Sequence, residues 1–220
     1  MITTFKSHLA LTHVKKYLPD NPIVVEAGAF EGKETLHMST LWPKGTMHAF
    51  EPVPEIFEKL AANTVHMPNV IRYPLALSNT TGTATLYISE KPNKPDIASQ
   101  GNSLLKPKER LKLSPLVFPT TLEVPTITLD DWQKKYNISH VDLLWLDLQG
   151  CELNVLKSCP NIMNHVKVVY TEVEFVEAYE GQYLYPDVVA WLGQQGFTMV
   201  GRNFPDNPTW FFGNALFVRK

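Results

Sequence analysis

The stretch that decides the fold is "IVVEAGAFEGKET", residues 23–35. It opens with three branched apolar residues, which are typical of a buried strand. Gly28 and Gly32 then allow a sharp turn before a helix begins. Dinucleotide-binding enzymes, phosphate-binding loops and methyl-donor enzymes all use some version of this strand, glycine turn and helix. The glycine spacing alone leaves these three classes open.

Strand-like and helix-like segments alternate along most of the chain after this turn. "TMHAFEP" and "VVYTEVEF" predict strands, whereas "PEIFEKLAANTV" and "PDVVAWLGQQG" predict helices with a proline in the first turn. Repeated βα units predict an α/β fold with a doubly wound, mostly parallel sheet and helices on both faces. The last segments, "FTMVGRN" and "WFFGNALFVRK", predict an antiparallel pair at the C-terminus.

Two segments stand apart from this alternation within a single predicted domain, residues 1–220. Residues 1–20 predict an amphipathic N-terminal helix with Phe5, Leu9 and Val14 facing inward. Residues 89–120 are rich in Lys, Pro, Ser and Asn and predict a long loop that acts as an active-site lid. The basic side chains of this loop are predicted to be solvated: Lys106, Lys108, Arg110 and Lys112.

Composition limits the classes of binding partner and the cellular compartment that we expect for this protein. A net charge of −2 and a pI near 6.4 argue against a nucleic-acid surface. The sequence has no apolar run of the ~20 residues that a membrane span needs, and no signal-peptide core, so we predict a cytoplasmic protein. Cys151 and Cys159 are predicted at opposite ends of one short helix, ~12 Å apart, and therefore reduced.

The ligand of a doubly wound sheet binds where the strands end, so the residues after each strand are the candidates. Phe30 stands where a dinucleotide fingerprint needs its middle glycine, and the Glu26 carboxylate would repel a pyrophosphate but attract an ammonium or sulfonium. These residues favour S-adenosylmethionine over a dinucleotide. Glu51 ends the second strand and is predicted to accept the ribose hydroxyls, with Ala76 beside the adenine.

"VDLLWLDLQGCEL", residues 141–153, carries the second concentrated signal. Asp147 ends a fully apolar strand at a glycine turn, which makes it a candidate general base or hydrogen-bond acceptor, with helix capping as the alternative. Glu172 ends the next strand near the same cleft. Asp147 and Glu172 are two carboxylates without a third defined ligand, so we predict no metal site and expect them to orient substrate hydroxyls.

Several stretches, taken together, resemble the FkbM-type S-adenosylmethionine-dependent methyltransferases. They cover the chain from about residue 22 to its end, and "LDLQGCELNVL" is the most specific of them. Two departures are Trp145, where the family commonly has Lys, and Gln149, where it commonly has Glu. The stretches are "VVEAGAFEGKET", "AFEPVPEIFEKL", "ALSNTTGTATL", "GNSLL", "VPTITLDDW", "VDLLWLDLQGCELNVLKS", "VVYTEVEF" and "NALFVRK".

The resemblance implies a class I methyltransferase (Rossmann-like) fold with a seven-stranded sheet, and O-methylation of a hydroxyl on a sugar, glycan or small natural product. A non-catalytic S-adenosylmethionine-binding module and an NAD-dependent oxidoreductase are the alternatives. The catalytic residues are predicted to be Asp147 and Glu172. The cofactor-binding residues are predicted to be Glu26, Gly28, Ala29, Phe30, Gly32, Glu51, Pro52, Ala76 and Asp147.

Overall fold

The computed structural model describes residues 2–93 and 99–220 of the chain. The strands are β1 (Thr3–Thr4), β2 (Ile23–Ala27), β3 (Thr46–Phe50), β4 (Val70–Tyr73), β5 (Ala76–Leu77), β6 (Gly82–Glu90), β7 (Val117–Ile127), β8 (Leu143–Leu146), β9 (Val168–Glu174), β10 (Phe197–Arg202) and β11 (Phe212–Arg219). The α-helices are α1 (Ala10–Val14), α2 (Lys33–Leu41), α3 (Pro54–Asn63), α4 (Arg110–Leu113), α5 (Leu129–Tyr136), α6 (Glu152–Lys157), α7 (Pro160–Met163) and α8 (Tyr185–Gln194).

The main sheet has eight strands in the order β1-β10-β11-β9-β8-β2-β3-β4. Neighbouring strands are parallel except around β11, which runs antiparallel to both β10 and β9. Seven of these strands form the predicted doubly wound sheet, and β1 adds only two residues at its edge. The predicted fold class and antiparallel C-terminal strand are therefore confirmed.

Strand order reverses at the boundary between β2 and β8. The chain moves outward from β2 through β3 and β4, and later starts again on the other side of β2 with β8 and β9. Ala27 and Leu146, the last residues of β2 and β8, pair across this boundary. In such sheets the crevice beyond the reversal is the place where a ligand binds.

The strands at this boundary are held by apolar cores on both faces of the sheet. Every residue of β8 and β9 is buried. Leu143 packs into one core with Trp42, and Leu144 packs into the other with Trp132, because successive side chains of a strand point to opposite faces. Burying each leucine contributes roughly 1.5–3 kcal/mol. The strand ends that carry the candidate residues therefore rest on a rigid support.

A small second sheet stands beside the main one. The segment "NVIRYPLALS" is not one strand, as the sequence predicts, but splits at Pro74 into β4 and β5. Proline has no N–H for a sheet ladder, and β5 leaves the main sheet to pair with β7, which also pairs with β6. This three-stranded sheet places Ala76 at the edge of the crevice.

The N-terminal segment forms the predicted helix only in part. Met1 lies outside the described residues, and β1 is followed by α1, whose five residues are flanked by 3-10 turns at Ser7–Leu9 and Lys15–Tyr17. Phe5 and Val14 are buried as predicted, but the expectation for Leu9 is wrong, because 40% of it is exposed. Backbone pairing of β1 with β10 fixes this segment at the edge of the sheet.

The predicted loop 89–120 is partly wrong as well, since β6 extends to Glu90, β7 begins at Val117 and α4 lies between them. Residues 94–98 of that prediction lie outside the described residues. The backbone N–H groups of Lys108 and Arg110 both donate to Ala178 O at 2.9 Å. This segment is thus anchored to the loop 176–186, and Arg110 is buried rather than solvated.

Two further predictions concern the cysteines and membrane-spanning segments. Cys151 and Cys159 flank α6, and both are free and buried, as predicted. Among the described ranges, no helix combines the length and the apolar character that crossing a bilayer requires.

Candidate functional site

A cavity of about 680 Å³, partly open to solvent, lies beyond the β2–β8 boundary. It is built from the ends of β2, β3 and β8, from β5, and from residues 99–104 of the segment before α4. The lining residues are Gly28, Phe30, Phe50, Glu51, Pro52, Leu75, Ala76, Leu77, Leu86, Ser99, Gln100, Asn102, Ser103, Leu104, Asp147, Leu148, Gln149 and Cys151.

Gly28 allows the first glycine turn to lie directly against the turn after β8. A Cβ atom at Gly28 would lie 2.0 Å from the carbonyl oxygen of Asp147, closer than any side chain can pack. The φ angle of Gly28 is +79°, which also favours glycine. The Asp147 N–H donates to Ala27 O at 3.1 Å, so the two turns form one continuous cavity floor.

The Glu51 carboxylate organises the turn that carries Phe30. Its Oε2 accepts from the Phe30 N–H at 3.1 Å, and its Oε1 accepts from the Val53 N–H at 2.9 Å. Phe30 has a φ angle of +50°, unusual for a residue with a side chain, and this hydrogen bond helps to hold it there. Burial raises the pKa of Glu51 to about 7, against the effect of the two N–H donors. Each oxygen has a lone pair left for a ligand hydroxyl.

The wall opposite Glu51 comes from the stretch "GNSLL", residues 101–105, for which the sequence predicts no specific role. Ser103 exchanges backbone hydrogen bonds with Tyr87 of β6, and its hydroxyl donates to Gln149 O at 2.8 Å. Ser103 therefore ties the small sheet to the turn after β8. The resemblance of this stretch to the family is the sequence signal that could have identified it.

The turn after β8 is held by the acid that follows it in α6. Glu152 Oε1 accepts from the Leu148 N–H at 2.7 Å, and its Oε2 accepts from the Gly150 N–H at 3.0 Å. These bonds support a backbone in which Gln149 has a φ of +51° and Gly150 a φ of +99°. Glu152 thus has a structural task that explains the acid in "LDLQGCEL".

The turn points Gln149 toward the carboxylates. Its Nε2 donates to Asp147 Oδ1 at 2.8 Å and to Glu172 Oε1 at 2.9 Å. Its Oε1 lies 3.2 Å from the Tyr179 hydroxyl, which fixes the orientation of the amide. The sequence marked Gln149 only as a departure from the family pattern, whereas here it connects both predicted catalytic residues.

The carboxyl groups around Gln149 lie in an environment of low polarity. Asp147 is exposed toward the open cavity, yet desolvation by the surrounding protein and the nearby Glu34 raise its pKa. Burial raises the pKa of Glu174 to about 8 and that of Glu172 well above its usual value. The Glu172–Glu174 pair therefore holds at least one proton near pH 7.

A metal ion is one conceivable ligand of this cluster. Asp147, Glu152 and Glu172 each offer a carboxylate oxygen, and these atoms lie within 4.8 Å of one another. However, the Gln149 amide donates to two of these carboxylates, and both Glu152 oxygens accept backbone N–H groups. The carboxylates are thus balanced by N–H donors, which does not require a cation.

The structure brings six of the ten predicted site residues to the cavity wall: Gly28, Phe30, Glu51, Pro52, Ala76 and Asp147. The other four lie behind it. Glu26 accepts a hydrogen bond from the Thr35 hydroxyl, Ala29 is buried, Gly32 precedes α2, and Glu172 lies behind Gln149. Ligand contact by these four residues stays a prediction, because none of them lines the cavity.

The tyrosines of "EAYEGQYLYP" pack rather than line the cavity. Tyr179 is fully buried, and its hydroxyl lies 2.9 Å from Gly101 O and 3.2 Å from Arg110 Nε. Tyr183 lies under the Lys157 ammonium, and Tyr185 packs against Phe175. Tyr183 and Tyr185 therefore pack against neighbouring side chains, while Tyr179 joins the polar network.

Comparison with known proteins identifies the relatives of this chain. The family model for the methyltransferase FkbM domain matches residues 26–199. The "2-O-methyltransferase NoeI" of Sinorhizobium fredii is 27% identical over 165 residues, 74% of this chain and 68% of the relative. "Methyltransferase sdnD" of Sordaria araneosa is 30% identical over 205 residues, 82% of this chain and 75% of the relative.

Solved structures agree on the fold. Magnesium protoporphyrin IX methyltransferase (ChlM) from Synechocystis, solved with bound SAM, superposes with a TM-score of 0.52 at 10% identity, over 97% of this chain and 77% of that one. At this identity the likeness concerns the fold alone. Together with the family match, it confirms the predicted resemblance and the predicted class I methyltransferase fold.

Proposed function

Because the chain belongs to the FkbM-type S-adenosylmethionine-dependent methyltransferases, we propose that it methylates a hydroxyl oxygen of a small molecule or glycan. The observation that carries this proposal is Asp147, whose carboxylate ends β8 at the cavity and is exposed toward it. A carboxylate there can accept the proton of an attacking hydroxyl. The name of the relative NoeI, a 2-O-methyltransferase, supports oxygen as the acceptor atom.

The cavity fits the donor on chemical grounds. Glu51 offers carboxylate lone pairs suited to the two ribose hydroxyls, and Ala76 and Leu77 offer a small apolar surface suited to an adenine. The Gly28 turn packs directly against Asp147, so the glycine backbone itself forms part of the cavity wall beside this carboxylate. When bound, S-adenosylmethionine supplies a methyl group activated by a positive sulfonium. No described residue of this lining is specific for the phosphates of a dinucleotide.

The role of the chain is mainly to position the reactants. Asp147 orients the acceptor hydroxyl and takes its proton as the new carbon–oxygen bond forms. Gln149 holds the Asp147 carboxylate from behind, and Glu172 holds Gln149, so Glu172 acts as a positioning residue. The cavity walls fix the approach of the hydroxyl, and such positioning can account for much of the rate of a bimolecular transfer.

Calorimetric titration and turnover test this proposal together. S-adenosylhomocysteine should bind in the micromolar range and NAD should not. Methyl transfer from labelled S-adenosylmethionine to at least one member of a panel of sugars, glycosides and phenols should follow, and Asp147→Asn should slow it at least ~10²-fold, the low end for general base catalysis.

The other possible results of these two measurements would contradict the donor, the reaction or the role of Asp147. Absence of S-adenosylhomocysteine binding would overturn the donor assignment, and binding of NAD instead would favour an oxidoreductase. Tight binding with no turnover on the whole panel would favour a non-catalytic binding module. Unchanged turnover by Asp147→Asn would remove the proton-accepting role from this residue.

A further inference from the structure

A second groove adjoins the donor cavity and shares Ser99 and Gln100 with it. It holds about 1170 Å³ of space open to solvent. It is lined by Arg110 and by residues 91–93, 99–101, 114–116 and 210–212. An acceptor lying in this groove would reach the donor cavity past Ser99 and Gln100.

Arg110 is the unusual feature of the groove. It is only 9% exposed, its Nε donates to the Tyr179 hydroxyl at 3.2 Å, and its guanidinium lies 4.8 Å from the centre of the Phe211 ring. Within residues 2–93 and 99–220, no carboxylate oxygen lies within 4.0 Å of it and no other acceptor bonds its side chain. An arginine has five N–H donors, so most of this buried charge is left for a ligand.

The acidic cluster behind Arg110 does not neutralise it fully. The positive charge of Arg110 lowers the pKa values of Glu172 and Glu174, which places all three groups in one electrostatic neighbourhood. Burial outweighs this effect and raises both pKa values, so this pair compensates the guanidinium charge only in part. A buried cation without a full partner is costly unless a ligand or another group pairs with it.

The other described residues of the groove match an anionic ring compound. Lys91 is the second charged residue of the lining, and the lining contains no acid among the described residues. Trp210 is 57% exposed and presents an aromatic face beside Phe212. Asn93 and Gln100 add polar groups. Arginine pairs with planar oxyanions in a bidentate manner, and a tryptophan face binds the apolar face of a ring.

We propose that this groove is the acceptor subsite and that it takes a ring compound carrying an oxyanion, with the anion on Arg110 and the ring on Trp210. The inference rests on the proposed function, since the groove leads to the donor cavity. It adds the chemical class of the acceptor and assigns Arg110 and Trp210 as its specificity residues.

The test uses two matched pairs of probes titrated into the full chain saturated with S-adenosylhomocysteine. The pairs are 4-nitrophenyl β-D-glucuronide with 4-nitrophenyl β-D-glucoside, and benzoate with benzamide. In each pair the anionic member should bind about tenfold more tightly, as expected for one charge-assisted bidentate contact. Equal affinities within both pairs, or no binding of any probe, would overturn the proposal.

Substitutions distinguish the contact of the anion with Arg110 from the contact of the ring with Trp210. Arg110→Gln should lower the anion preference from about tenfold to the two- to threefold that a surface charge can supply, while Trp210→Ala should weaken both members of each pair alike. Because Arg110 is buried, Lys91→Gln at an exposed position serves as a second variant and should reduce the preference two- to threefold, in the manner of a surface charge. Lys134→Gln, exposed on α5, is the matched control and should change nothing.

The two proposals fail in different ways. Absence of S-adenosylhomocysteine binding would contradict the proposed function, whereas intact S-adenosylhomocysteine binding with no anion preference would contradict only the acceptor subsite. A preference that stays near tenfold in Arg110→Gln with the fold intact would place the anion elsewhere and overturn the assignment of Arg110.

Discussion

The side-chain Nε2 of Gln149 lies 2.9 Å from Oε1 of Glu172, and the same nitrogen lies 2.8 Å from Oδ1 of Asp147. One neutral amide therefore separates two carboxylates and donates a hydrogen to each. Both bonds favour the ionised forms, against burial that favours the protonated ones. The proton-accepting role that we propose for Asp147 therefore depends on this amide, which supports the charged form of its carboxylate.

Replacing Gln149 by Leu should shift the acid limb of the kcat/KM pH profile to higher pH. Loss of the N–H donors raises the pKa of Asp147, so a higher pH is needed to ionise it. A hydrogen bond to a charged group contributes roughly 1.5 kcal/mol, which gives a shift of up to about one pH unit at this exposed position. Methyl transfer measured between pH 5 and 9 checks it.

The control for this change is Gln194→Leu near the end of α8, where the side chain is exposed. That variant should keep the wild-type profile. A Gln149→Leu enzyme that loses rate equally at every pH, with the limb in place, would show that the amide supports the fold of the turn rather than the ionisation of Asp147.

Gly28→Ala should destabilise the protein strongly. The new Cβ would lie 2.0 Å from the Asp147 carbonyl, and the φ of +79° disfavours alanine. Strain and overpacking together should cost roughly 2–5 kcal/mol of the free energy of unfolding. Urea unfolding measures this loss. Gly193→Ala in α8 is the matched control, because nothing lies within 4 Å of its Cβ position, and it should be neutral or slightly stabilising.

Much of the fold follows from the sequence because parallel central strands are continuous apolar runs. β8 is such a run, β2 and β9 each begin with one, and the reversal of strand order places the ends of these strands at one crevice. Because the ligand site of such a sheet lies at the strand ends, the predicted strands alone identify Gly28, Glu51 and Asp147 as candidate site residues. These predictions need only the order of the elements.

The remaining features depend on contacts between segments distant in the sequence. β7 begins at Val117, inside the predicted loop 89–120, and the prediction misses its first four residues because they are mostly exposed, include Pro119 and lack the apolar run of a buried strand. Arg110 belongs to a basic cluster that resembles a solvated loop, and only its packing on Tyr179 and Phe211 buries it. Gln149 acts through a left-handed turn, which no periodicity reveals.

The affinity for S-adenosylhomocysteine should rise between pH 6 and pH 8. The free-state pKa of Glu51 is about 7, and ribose hydroxyls donate to its ionised form, so binding lowers this pKa and is favoured by deprotonation. Calorimetry at several pH values measures the trend. In Glu51→Gln the affinity should be lower and independent of pH over this range. An unchanged slope in Glu51→Gln would move the ribose contact to another residue.

The stability of the chain should fall as pH rises from about 5 to about 8.5. Burial raises the pKa of Glu26 in the folded state to about 8 from 4.5, so its contribution is fully present below pH 4.5 and is lost as pH rises through 8. Urea unfolding should show a loss on the order of 3 kcal/mol. Glu26→Gln stays neutral and can still accept from Thr35, so it should flatten this dependence. Glu58→Gln, exposed on α3, should keep the wild-type slope, and an equal slope in Glu26→Gln would contradict the assignment.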